Sequence, residues 1–156
     1  MNIEQDYLQG IFTAAIREVI EIMTGLCIEE DLSQEVCKIN KGEISGVMLT
    51  LGEKNALVSL TMSKELCSTI IYYMTGIEKS DITEEEIYDG AAELVNMVAG
   101  RAKTILAGTK YHFSITPPFT IIGKDHFIVH KDKVLDITKN YIIDDRPLFL
   151  QVYYIN

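Results

Sequence analysis

The chain has 156 residues, 47% of them hydrophobic and 24% charged, with three Pro and no Trp, a composition ordinary for a globular protein. A chain of this size buries roughly 68–70% of its unfolded surface, so one domain over residues 1–156 needs no disulfide or metal to hold it. Fourteen basic residues against 23 acidic ones leave a net charge of −9. That argues against nucleic acid or an anionic membrane as partner, because both require a basic footprint.

The opening MNIEQDYLQG is acidic and lacks the layout of a secretory signal. No apolar run approaches the ~18 residues that span a bilayer. Cys27, Cys37 and Cys67 are odd in number and show no CxxC spacing. The expectation is a cytoplasmic protein with reduced thiols.

In chain order, Leu8, Ile11, Phe12, Ala15, Val19, Ile22 and Met23 recur at i, i+3, i+4 spacing and predict an amphipathic helix from Ile3, stopped by Gly25. Glu43–Thr50 and Ala56–Thr61 read as strands joined by a hairpin-like turn at Gly52-Glu53-Lys54-Asn55. Ser63 caps a second helix, Lys64 to Met74, ended by Gly76. Within it Tyr72, Tyr73 and Met74 read as core or interface filling. Thr83-Glu84-Glu85-Glu86 forms a capping box with three carboxylates in the first turn, where the helix dipole favours them. It opens a long third helix, Glu84 to about Leu106. Beyond Gly108 the pattern is strand-like at Tyr111–Thr116, Phe119–Gly123, His126–His130 and Leu148–Ile155. Pro117-Pro118 either shapes a loop beside a helix face or ends a strand. The layout predicts an α+β fold, an antiparallel sheet with two long helices packed on it. Aligning Gly25 with Gly100 sets Glu18 opposite Glu93 and Glu21 opposite Asn96, a possible internal pseudo-repeat, which two amphipathic helices could also show by chance.

The third helix holds the most informative residues. At ~100° per residue, Asp89, Glu93, Asn96 and Gly100 fall within about 60° of one another. Ile87, Ala91, Leu94, Val98, Ala102 and Ile105 gather on the opposite side, which must face a core. An acid and an amide three apart are neighbours, so one partner group can touch both. Asn is no acid or base near neutral pH, but its carbonyl accepts and its amide donates. That suits holding a water in line with an electrophile. Glu93 suits a cation on the partner, and Gly100 leaves room for close approach. A merely solvated helix face satisfies the same periodicity.

Other chemistries find little support. His126 and His130 sit four apart in strand-like sequence with no carboxylate or Cys pattern to complete a metal site, and His112 stands alone. No nucleophile elbow occurs, and neither GxGxxG nor GxxxxGK[ST] is present, so no nucleotide site is expected.

With these residues in hand, the sequence resembles the CheC/CheX/FliY family of chemotaxis phosphatases, and its CheX branch in particular. The resemblance is carried by Asp89-x-x-x-Glu93-x-x-Asn96, the NMVAG stretch that follows, and the order of elements over nearly the whole chain. The family's proline falls one residue later than Pro118 does here. The resemblance implies hydrolysis of the aspartyl phosphate on a phosphorylated CheY-like response regulator, with Asn96 positioning water and Glu93 pairing with the regulator's lysine. It implies no cofactor of the chain's own, the Mg2+ belonging to the regulator, and one site per chain, since Glu18 and Glu21 occupy the first helix. It also implies a homodimer through sheet edges. The apolar run Leu148–Ile155 is a candidate for such pairing, although a central strand reads the same way. The alternative is a non-catalytic docking module of the same fold family, binding a response regulator or flagellar-switch partner through the acidic helix.

Overall fold

The computed structural model describes residues 2–32 and 42–156; Cys37 lies outside them. In chain order the elements are α1 (Ile3–Thr24), β1 (Ile28–Glu30), β2 (Gly42–Gly52), β3 (Ala56–Met62), α2 (Lys64–Thr75), α3 (Glu84–Ile105), β4 (Phe113–Ile115), β5 (Phe119–His126), β6 (Leu135–Ile143) and β7 (Arg146–Tyr154). The strands form one antiparallel sheet in the order β1-β6-β7-β3-β2-β4, with β5 also pairing to β2. The fold is α+β as expected, with two helices of 22 residues and the shorter α2.

Local chemistry sets the helix ends. Asn2 caps α1 by accepting from the amides of Glu4 and Gln5, Ser63 accepts from Leu66, and Thr83 accepts from Glu86. Gly25 and Gly76 close their helices at φ 74 and φ 78, in the left-handed region that a side chain disfavours.

The sheet is pinned by alternation. Ile44 and Met48 on β2, Val58 and Leu60 on β3, and Leu150 and Val152 on β7 are fully buried on the helix-covered side. Leu8, Phe12 and Ile16 of α1 and Leu94, Val95 and Val98 of α3 join them in one core. Gly46 of β2 lies beneath Ala91 and Val95 of α3, which is how closely that helix presses on the sheet. On the opposite face Ser45 bonds Thr61 (2.6 Å) and the His126 Nε2 (2.7 Å). His126 Nδ1 donates to the Gly123 carbonyl at 2.6 Å. Gln151 Nε2 and the Tyr153 hydroxyl both donate to the Ile128 carbonyl, tying the segment after β5 across this face.

Several expectations need correction. Leu148–Ile155 is no exposed edge: β7 is enclosed between β3 and β6, so the run is apolar because both its faces are buried. Residues 127–130 are not strand; only His126 ends β5. The strands β1 and β6 were not foreseen. On β6 the helix-facing alternation of Leu135, Ile137, Tyr141 and Ile143 is broken by Lys139, whose ammonium pairs with Glu30 at 3.3 Å. The pseudo-repeat is not borne out. Gly25 terminates α1, whereas Gly100 lies inside α3, which continues to Ile105, and Glu18 is paired with Arg101.

Candidate functional site

The outer face of α3 carries the four residues that the helical period brings together. Asp89 and Glu93 are exposed, while Asn96 and Gly100 are half-buried. Ile87, Ala91, Leu94, Val98 and Ala102 are buried beneath them, and Ile105 is half-buried. The side chains of Asp89, Glu93 and Asn96 make no hydrogen bond or ion pair with another described residue.

Their neighbours behave differently. Glu84, at the start of the same helix, accepts from the Tyr88 hydroxyl at 2.9 Å and faces the Lys64 ammonium at 3.2 Å. The tyrosine hydrogen bond first, and the lysine second, hold the Glu84 carboxyl below the usual carboxylate range. Glu18 takes the Arg101 Nε at 2.6 Å. Glu84 and Glu18 thus each have a cationic partner, whereas the side chains of Asp89 and Glu93 have none among the described residues.

A Cβ built on Gly100 would meet nothing within 4 Å, so that position is open to an incoming surface. Gly90, by contrast, is packed against Ile71 of α2. The two glycines of α3 therefore serve opposite purposes, one admitting the fold's own helix and one left open.

The proline pair is placed by strand register. β5 covers the β2 edge up to Phe119 opposite Val47, and β4 resumes with Ile115 opposite Thr50. Thr116, Pro117 and Pro118 therefore pass the edge at Met48–Leu49. Thr120 on β5 fixes this edge to the helix by donating to the Tyr88 carbonyl at 2.7 Å. The proline pair thus separates β4 from β5 along the β2 edge.

The helix α3 also meets α1. A groove of about 280 Å³ between α1 and α3 is lined by Glu18, Val19, Ile22, Met23, Met97 and Arg101. Sequence reasoning assigned Ile22 and Met23 to the buried stripe, yet they are 72% and 43% exposed. It missed Arg101, Thr120 and this groove. The available signal was the width of the apolar stripe in the last turns of α1, where Ile20, Ile22 and Met23 cannot all face the core.

Among the described residues no group of three or more His, Cys, Asp or Glu is placed to hold a metal ion, and no helix is long and apolar enough to cross a membrane. Cys27 is exposed and Cys67 buried, both free; burial pushes the Cys67 thiol up to about 12.

This geometry has relatives. The chain is similar to a chemotaxis protein CheX from Vibrio vulnificus, with 27% identity, 93% of this chain and 94% of that one covered, and a TM-score of 0.80. A CheC-like superfamily protein from Shewanella sp. PV-4 matches at 25% identity, 99% of each chain and a TM-score of 0.83. CheX from Borrelia burgdorferi, in a complex with CheY, BeF3 and Mg2+, shares the fold at 19% identity, with 94% of this chain and 97% of that one covered and a TM-score of 0.73. No curated protein matches the chain. The family model for the chemotaxis phosphatase CheX matches residues 44–138, the span that holds β2 from Ile44 onward, β3, the whole outer face of α3 and the proline pair, and the chain accordingly belongs to the CheX family.

Proposed function

We propose that the chain is a phosphatase for the aspartyl phosphate of a CheY-like response regulator in chemotaxis. The observation that carries this is the pair Glu93 and Asn96, side by side on α3 and without a partner among the described residues, in a chain of the CheX family. Phosphoryl transfer is mostly positioning and charge stabilisation, so a phosphatase of this kind contributes few side chains. The Asn96 carboxamide accepts from a water and orients it toward phosphorus. Glu93 pairs with a lysine of the receiver and sets the register. Asp89 extends the acidic contact, and Gly100 lets the receiver's backbone come close.

The cation belongs to the partner. The Borrelia relative is seen with CheY, BeF3 and Mg2+ together, and here we assign magnesium to the receiver, where it neutralises charge on the phosphoryl oxygens. No cofactor of the chain's own enters this reading. A cytoplasmic location and a homodimer belong to it as well; with β7 enclosed, a dimer built by sheet extension has β1 or the β4–β5 edge available.

The test is phosphate release from a phosphorylated CheY-like receiver, with wild type and with Asn96→Ala. Wild type accelerates release, and the variant loses about 100-fold or more, as when a single transition-state positioning group is removed. Equal acceleration by both would leave the enzyme and sink the site. Binding of several receivers without acceleration would instead mark a docking module.

A further inference from the structure

We propose that the groove between α1 and α3 is a second contact surface for the same receiver domain, taking an apolar side chain of the receiver beside a hydrogen-bond acceptor. The proposal rests on the reading of the α3 face as the receiver's docking face, and extends it to residues outside the Asp89–Asn96 motif.

Three observations converge on it. In the last turns of α1 the buried side passes to Ile20 and Thr24, leaving Ile22 72% and Met23 43% exposed. Ile22 and Met23 line one groove with Val19 and Met97, and contiguous apolar surface of this kind is what interaction sites present. Second, the groove is continuous with the motif: Met97, on its floor, directly follows Asn96 in α3. Third, its rim is polar and half-committed. Arg101 gives its Nε to Glu18 at 2.6 Å, while its remaining guanidinium nitrogens have no partner among the described residues. A carboxylate or main-chain carbonyl of the partner can use them. An apolar floor with a polar rim is the anatomy of a protein–protein contact.

The size of the expected contact selects the occupant. A specific interface buries about 800 Å² per partner, drawing on roughly 20–30 residues a side. Asp89, Glu93, Asn96 and Gly100 supply a fraction of that. A receiver seated on them must spread onto a neighbouring element, and α1 is the neighbour whose exposed apolar side chains line a groove together with α3 residues. A second copy of the chain placed in the groove would cover the motif and compete with the receiver.

Ile22→Glu tests this on the full chain, using a phosphorylated CheY-like receiver for turnover and the BeF3-loaded receiver for binding. Ile22 projects into solvent, so the melting curve should stay at wild type. We expect KM to rise about tenfold and the BeF3-receiver affinity to fall by the same factor, the loss being confined to binding. Asn96→Ala should do the converse, losing kcat while still binding. Wild-type KM and affinity in Ile22→Glu, with an active wild type, would overturn the groove and leave the phosphatase standing. A dimer that becomes a monomer on this change, at unaltered KM, would assign the groove to a second copy and equally overturn the proposal. A wild type that neither hydrolyses nor binds would fell both readings.

Discussion

Gly46 of β2 sits so close under Ala91 of α3 that a Cβ on it would overlap the Ala91 carbonyl oxygen. A backbone oxygen cannot rotate away as a side chain can. Gly46→Ala should therefore lift the helix, costing about 1–3 kcal/mol in the manner of an overpacked core. Because the motif rides on that helix, phosphatase activity should fall further than the lost fraction of folded protein explains. Gly90→Ala is the comparison: its Cβ would meet Ile71 Cδ1 at 2.5 Å and Cγ1 at 2.8 Å, side-chain atoms that must shift but are not backbone, and the change gains about 1 kcal/mol of helix propensity, so its cost should be smaller than that of Gly46→Ala. Denaturant melts of both variants, read beside kcat, decide the matter. A Gly46→Ala protein as stable and active as wild type would contradict the close approach.

Gly100 should separate fold from docking. With nothing within 4 Å of its Cβ position, Gly100→Ala is expected to stabilise the chain by about 0.8–1 kcal/mol. Gly100→Leu should also fold, yet raise the KM for a phosphorylated receiver several-fold by filling the space the partner needs. A Gly100→Leu enzyme with unchanged KM would show that no surface approaches there.

Glu93 has no intramolecular partner among the described residues. Glu93→Gln, nearly isosteric, should leave stability within about 0.5 kcal/mol of wild type. It should weaken receiver binding at low salt and flatten the salt dependence, because a charge pair across the interface has been removed. Titrations at two ionic strengths check this; parallel curves for variant and wild type would remove Glu93 from the contact.

The thiols should differ sharply. Cys27 is exposed, whereas Cys67 is buried with its thiol pushed up to about 12, and only the thiolate alkylates. Iodoacetamide at neutral pH should modify Cys27 in the native protein and reach Cys67 only on unfolding. Mass mapping of the modified peptides gives the answer, and early labelling of Cys67 would mean that α2 opens readily.

The helices were legible because their signals are local. Ser63 and Thr83 as caps, Gly76 as a stop and the 3.6-residue stripe of Glu84–Ile105 each involve residues within a few positions of one another. The shared face of Asp89, Glu93, Asn96 and Gly100 follows from helix geometry alone. β6 was not legible, because Lys139 interrupts its alternation for the sake of Glu30, more than a hundred residues away. For β7, an apolar run has the same composition whether it is enclosed or at an edge, and only its partners on β3 and β6 decide which.

The amino-acid sequence by itself determined that a long amphipathic helix presents a carboxylate, an amide and a glycine outward together, since a helix of fixed pitch converts spacing into direction. What the tertiary structure alone decided was the surroundings of that face. The proline linker joins β4 to β5 along the edge of β2, the Thr120–Tyr88 hydrogen bond ties β5 to α3, and Ile20 and Thr24 rather than Ile22 and Met23 take the buried side of the last turns of α1. Each of these joins residues distant in the chain, and a local period carries no information about which distant segment packs against it.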